Sequence, residues 1–391
     1  MAFPAGSVQS AGYTRRRQWW PGYGLAGLLL LLGTVGGALL GGPLGQFMLS
    51  GIQTVPFALL ALLTYLGVEY VLARVFAFLW LGVLLVGLGL MAMLLAFSML
   101  LVSTNAGGAS PGPALPAGGG ALLGGVALWT LLGLVVAGLA LVPGVRRFAA
   151  RVLPIDPASP VHAIALSLVT GATVIGFGQL IAAGGAPPFL EMVQGTPELP
   201  GAGSDLDQLL FIAYGFVWTF PGALVAVGFP VVRTFGDALR RLGLVRPTGR
   251  QVIGAIGLAI LLVGAAWLLD LGIGWLWDTM GWQRTDAEAF ERLLGAAISP
   301  VGAVLIGITA GLGEEMVVRG ALQPRLGLLL SNLFFTSLHA FQYGFDALLS
   351  VFVVGLVLGI VRARSNTTTS SIVHGVYDFI LVMISALALF G

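Results

Sequence analysis

Residues 75–102 read VFAFLWLGVLLVGLGLMAMLLAFSMLLV and carry no charged side chain. A helix that crosses the ~30 Å hydrocarbon core of a bilayer needs about 20 apolar residues, so this stretch is read as a transmembrane helix. The pattern extends in both directions. Residues 18–68 contain no Asp, Glu, Lys or Arg, and neither do 75–145, 157–190, 208–232, 251–269, 293–313, 326–345 and 347–361. Of 391 residues only 9% are charged and 58% are hydrophobic, with a mean hydropathy of +1.00. Soluble domains carry roughly 25% charged residues. A soluble enzyme and a nucleic-acid binder are therefore excluded, and the lipid bilayer is the expected surrounding.

Cutting the charge-free runs at Gly/Pro-rich breaks gives an all-α, polytopic transmembrane bundle of about eleven helices, with a range of nine to twelve. They fall at 23–42, 57–73, 75–102, 121–142, 163–185, 209–232, 252–277, 295–318, 326–344, 347–361 and 370–390. Lys is absent, so all 18 basic side chains are Arg. With the N-terminus in the cytoplasm, sixteen of them fall inside and only Arg284 and Arg292 outside, as the positive-inside rule demands. The inside set runs from Arg15, Arg16 and Arg17 to Arg319, Arg325, Arg362 and Arg364. The long, Gly-rich run at 23–42 is followed by more spans and is read as an uncleaved first helix rather than a signal peptide. Residues 103–120 are read as a low-complexity external loop. The 186–208 loop, with Glu191, Glu198, Asp205, Asp207 and no Arg, is also read as external. Glycines at four-residue spacing (Gly33, Gly37, Gly41; Gly307, Gly311; Gly355, Gly359) read as close helix packing.

Cys is absent, which removes disulfides, thiolate zinc sites and Fe–S clusters, and there are three His. An ionisable group inside a span costs about 2.5–3.5 kcal/mol on insertion scales, so each needs a partner, water or a function. Glu69, Asp270 and Asp278 lie near helix ends and His162 opens a helix; interfacial solvation or a helix–helix hydrogen bond explains them. Asp346 sits in a short turn.

The last hundred residues differ. One helix ends G-L-G-Glu314-Glu315-M-V-V-Arg319-G, the next contains Phe335-T-S-L-His339, and the last begins S-S-I-V-His374-G-V-Tyr377-Asp378. Neighbours on a helix point about 100° apart, so Glu314 and Glu315 face different surroundings. Glu315 and Arg319 are i,i+4 and can pair, which leaves Glu314 free to face a cavity. His374 and Asp378 are also i,i+4 and can point into one site, with His339 added from a third helix. Such a set suits hydrolysis. A carboxylate can take a proton from water. Two His with a carboxylate can hold a divalent metal such as Zn²⁺, which acidifies bound water. The same His could instead stabilise an oxyanion. A buried salt-bridge network that only fixes helix packing uses the same residue types.

Glu-Glu-x-x-x-Arg (Glu314, Glu315, Arg319), Phe-x-x-x-His (Phe335, His339) and His-x-x-x-Asn/Asp (His374, Asp378), in this order on three helices, resemble the motifs of the CPBP intramembrane metalloproteases. This is the CAAX-prenyl-endopeptidase and bacteriocin-processing or self-immunity family. The resemblance covers residues 295–390 and extends back to about 205, which implies a protease-like domain at 206–391. Ahead of it the arginine pattern gives a cytoplasmic segment at 1–22 and an N-terminal transmembrane extension of unassigned role at 23–205. The resemblance also implies that Glu314 activates water, Glu315 is the second acid and Arg319 holds the acid pair at the rim. His339 and His374 would bind metal or the oxyanion, with Asp378 and Glu314 completing a Zn²⁺ site. Asp378 stands where eukaryotic members carry Asn; an ionised Asp repels an oxyanion, so it suits metal ligation or orientation of His374.

The expected function is a multi-pass metalloendopeptidase of a prokaryotic cell membrane, acting near its cytosolic face on a membrane-associated peptide or protein. The competing readings are a non-enzymatic membrane scaffold or immunity protein, and an ion-coupled transporter using Glu69 and Asp270.

Overall fold

A computed structural model describes residues 20–37, 39–106, 118–194 and 204–390. Arg15–Arg17, most of the 103–120 segment and Glu198 lie outside them. Every regular element among the described residues is helical. In chain order they are α1 (Trp20–Gly37), α2 (Gly42–Ser50), α3 (Val55–Leu66), α4 (Val71–Ala106), α5 (Gly119–Leu141), α6 (Pro143–Ala149), α7 (Pro160–Ala182) and α8 (Pro188–Gln194). They continue with α9 (Asp205–Ala226), α10 (Phe235–Leu242), α11 (Gly249–Met280), α12 (Ala287–Leu294), α13 (Pro300–Ile308), α14 (Gln323–Leu338), α15 (Phe345–Arg364) and α16 (Thr367–Phe390). Between α13 and α14 the backbone winds as a π-helix, over Thr309–Glu314 and again over Met316–Leu322.

Eight of the described helices are long and apolar enough to cross a membrane, nine if the pair Gly42–Gln53 and Val55–Leu66, bent by 50°, counts as one span. The expected range of nine to twelve includes the larger count, and the two counts differ at two places. The expected spans 295–318 and 326–344 fall in one helical stretch, Pro300–Phe341, about twice the length one span needs, which Gly327 at φ 80° divides into two helices, a backbone conformation glycine adopts without a Cβ penalty. At the other end α1, and α2 with α3, are shorter than their charge-free runs. The long helices present Leu79, Leu131, Ile253, Leu261 and Leu268 outward with 60% or more of their surface exposed, as lipid-facing residues do. Length, apolarity and this outward face make the protein a multi-pass membrane protein.

Helix starts follow local chemistry. Ser204, Thr234 and Thr248 form reciprocal capping boxes with Asp207, Asp237 and Gln251. Ser299 accepts from Gly302 N–H ahead of Pro300. Asn366 accepts from Thr369 N–H at the start of α16, and the Thr367 hydroxyl donates to the Leu242 carbonyl at the end of α10. That tie sets the entry of α16.

The glycine spacing marks packing at most of its positions. Gly307 and Gly311 meet Gly375 of α16 backbone to backbone; a Cβ on Gly375 would lie 2.5 Å from the Gly307 carbonyl oxygen. Gly355 and Gly359 face Asn332 and Leu328 of α14. Gly33 has no such neighbour, and Gly41 serves a left-handed turn at φ 66°. Gly375→Val should therefore destabilise the bundle by about 1–3 kcal/mol and lower the thermal midpoint in detergent. Gly272→Val, where nothing lies within 4 Å, should not; equal effects would refute this packing.

Candidate active site

The π-helical stretch is the centre of the site. Each i→i+5 turn is wider than an α turn, and such bulges occur mostly at functional places. Glu315 sits between the two π segments. Its side chain has no exposed surface, whereas Glu314 is half-buried and lines a cavity of about 720 Å³. Adjacent acids thus face different environments.

An ionised carboxylate without water needs donors on all sides. Glu315 Oε1 lies 3.6 Å from Arg319 Nε and 3.2 Å from His374 Nδ1. Its Oε2 accepts from the Ser370 hydroxyl. Arg319, also with no exposed surface, does not stand at the rim as expected but inside the bundle. Its Nη2 donates to the Gly355 carbonyl at 2.9 Å and to Asn332 Oδ1 at 3.4 Å, and its guanidinium lies 4.8 Å over the Phe335 ring, a cation–π contact. Asn332 in turn donates to the Phe352 carbonyl. The glycine at 355 thus has a second use: without a Cβ, its carbonyl is open to the guanidinium.

Phe335 is a hub. Its ring meets His339 edge-on at 4.7 Å and His374 at 6.1 Å. His339 Nδ1 lies 3.0 Å from the Phe335 carbonyl oxygen. A carbonyl can only accept, so Nδ1 carries the proton and Nε2 is the free nitrogen. His339 also stacks on Tyr343, 6.0 Å between centroids and 9° between planes, and lines the same cavity as Glu314.

The six expected site residues therefore separate into two groups. Glu314 and His339 are on the cavity wall. Glu315, Arg319 and His374 form a buried network behind it, with Asp378 at its edge, its Oδ2 3.4 Å from His374 Nε2. This position gives Asp378 an orienting contact to the imidazole. The fit to a metal ion follows from the same contacts. Both nitrogens of His374 face carboxylate oxygens, so neither presents a free lone pair. Among the described residues no group of three or more His, Asp or Glu is arranged to hold an ion. The side chains as they stand do not form the Zn²⁺ site expected from Glu314, His339, His374 and Asp378.

Other acids have plain partners. Asp270 accepts from Ser350. Asp346 is buried, not merely a turn residue: it accepts from the backbone N–H and hydroxyl of Thr285, clipping the loop before α12 to the start of α15. Asp278 pairs with Arg284 at 3.4 Å. His162 Nδ1 accepts from Asp156 N–H.

The cavity walls come from far apart in the chain. Phe57 and Tyr65 belong to α3, Ile164 and Ala172 to α7, Phe216 and Thr219 to α9. Ser370, Asn332, Tyr65 and Arg325 escaped the sequence reading as site residues. A signal existed for Asn332, an amide in an apolar helix; Ser370 lay unremarked in a Thr/Ser run, and Arg325 was counted as a topology residue.

The fold and site together define a multi-pass helical membrane protein with an acid–imidazole centre beside an internal cavity. Residues 296–380 match the family model for type II CAAX prenyl endopeptidase Rce1-like. That segment contains all six expected site residues and agrees with the CPBP resemblance. No curated protein and no solved structure matches the chain.

Truncating Arg319 to Met should leave Glu315 buried without its cation, at a cost of about 3–5 kcal/mol. A fall in the thermal midpoint smaller than that of a surface substitution such as Arg364→Met would refute the buried pair.

Proposed function

We propose that the chain is an intramembrane endopeptidase that hydrolyses a peptide bond of a membrane-associated peptide or protein, with Glu314 as general base. One observation carries this reading. Of two adjacent acids, one is locked in a network and the other is free on a cavity wall together with an imidazole. A structural network alone accounts for Glu315, Arg319 and His374, but not for Glu314 and His339. The match over residues 296–380 supports the same reaction class.

A water beside Glu314 gives up a proton to the carboxylate, and its oxygen attacks the scissile carbonyl. The protonated Glu314 then delivers that proton to the leaving amine. His339 has Nδ1 committed to Phe335, so only Nε2 can meet the tetrahedral oxyanion. A proton on Nε2 would make it a preorganised donor to that oxygen. Glu315 and Arg319 hold the backbone that aims Glu314; Asp378 and Glu315 hold His374, which with Phe335 supports the His339 ring. Over the spans read from the sequence, the distribution of arginines supports a cytoplasmic N-terminus and cleavage near the cytosolic face of the membrane.

Glu314→Gln should lower cleavage by about 10²–10⁴-fold with an unchanged thermal midpoint, read by mass spectrometry of products in proteoliposomes. Retained cleavage would sink the assignment, and binding without cleavage by the wild type would favour the scaffold. No step above passes through a metal. A divalent ion, Zn²⁺ by expectation, could enter at Glu314 and His339 only with a third ligand released from the network. Chelation with 1,10-phenanthroline should leave activity intact; a loss reversed by added Zn²⁺, with stoichiometric zinc in the purified protein, would establish the metal instead.

A further inference from the structure

Arginine at a membrane-helix end is expected to sit in water or among headgroups. Arg325 does neither. It is 6% exposed and lines the same cavity as Glu314. Its Nη1 donates to the Ala321 carbonyl at 2.8 Å and its Nη2 to the Tyr65 hydroxyl at 2.5 Å. Beside it Arg241 Nη1 donates to the adjacent carbonyl, Gly320, at 3.1 Å. Among the described residues no carboxylate lies within ion-pairing distance of Arg325 or Arg241. Burial, and then the charge of Arg325, push Arg241 down to about 10, and Arg233 adds to the same positive field. A buried charge is normally paired, so this end of the cavity lacks an anion that it is built to take.

Tyr65 sharpens the point. It accepts from Arg325, and among the described residues the one acceptor for its own proton is the Ala226 carbonyl at 3.5 Å, the outer limit of a hydrogen bond. Its O–H is therefore available to a stronger acceptor. A guanidinium fork with a phenol beside it suits the two oxygens of a carboxylate.

We propose that Arg325 and Tyr65, backed by Arg241, form a subsite for the C-terminal carboxylate of the peptide held at Glu314. This rests on the proteolytic reading. Peptides of any sequence carry this charge when their end is free, which fits a cavity whose other walls are mostly apolar. The eleven residues from Glu314 to Arg325 rise at most about 16 Å, the α-helical figure, since most of them wind as the shorter π-helix, and an extended peptide of about five residues or fewer spans that distance. One bound segment can thus touch both.

The test uses the full-length Glu314→Gln protein in phosphatidylcholine nanodiscs. The probe is a randomised library of apolar decapeptides in two forms, with a free or an amidated C-terminus, and bound peptides are counted by mass spectrometry. The free acid should be retained about tenfold over the amide. Adding Arg325→Gln should bring the ratio close to one, and adding Arg325→Lys, which keeps charge without the fork, should leave it intermediate. Equal retention of acid and amide with Arg325 intact overturns the proposal, whether or not the Arg325 variants fold. Arg325-dependent co-purification of phosphatidylglycerol, with no preference for the acid, also overturns it and assigns the guanidiniums to a lipid. Because the readout is binding, it separates from proteolysis. Free-acid preference in a protein whose wild type cleaves nothing sinks the peptidase but keeps the subsite. Cleavage of acids and amides alike sinks the subsite alone.

Discussion

A carboxylate with no exposed surface cannot remain ionised in a bundle of apolar helices unless donors close around it, and Glu315 sets that demand. Arg319 meets it from the next turn, and Ser370 and His374 from α16. Arg319, itself buried, then requires acceptors, which Gly355 of α15 and Asn332 of α14 provide. One desolvated acid therefore ties α14, α15 and α16 to the π-helical stretch. The close approach of Gly307 and Gly311 to Gly375 is what brings α16 near enough to do so. Such networks often contribute little net stability against an apolar replacement. Their effect here is geometric: they fix one arrangement of the three helices, in which both oxygens of Glu315 and the Nη2 of Arg319 have partners.

The same demand separates two adjacent acids. If both Glu314 and Glu315 faced the cavity, two like charges would share one wall and one would be driven neutral. Locking Glu315 inward lets its neighbour stand alone opposite His339. The π winding supports this division, because a widened turn shifts the register of the side chains that follow. His339 is prepared in a similar way. The carbonyl of Phe335 takes Nδ1, and the ring of Phe335 is held by the guanidinium of Arg319. The orientation of the cavity imidazole is thus coupled through one aromatic ring to the buried carboxylate behind it.

How much of this was legible depends on what each residue does. Glu314, Glu315, His339 and His374 stood out because an ionisable group in an apolar run has few innocent explanations. Their i,i+4 relations placed Arg319 beside Glu315 and Asp378 beside His374 before any coordinates. Three things could not be read. The π winding has no period of its own in so apolar a segment, so nothing in Thr309–Leu322 announces it. The depth of an arginine is invisible in a topology count: Arg319 and Arg325 scored there like Arg364, yet both are buried. And spacing could place His374 and Asp378 on one face without telling whether that face meets the cavity or the network behind it. Helix bounds were legible only to within a few residues, since a glycine kink such as Gly327 divides an apolar stretch without any change in composition.

The reaction groups and the walls around them come from different parts of the chain. Every expected site residue lies within 296–380, while Phe57, Tyr65, Ile164 and Phe216 form the opposite side of the cavity. On the proposed reading a water activated by Glu314 attacks any peptide that reaches it, so selectivity would reside in what the walls admit. α3 and α7 would then act on the reaction without touching the reacting bond. They bring apolar side chains, Phe57, Ile164 and Ala172 among them, to the cavity. On that reading a role for the N-terminal helices, unassigned from sequence because they carry no motif, would follow from where α3 and α7 stand rather than from what they contain.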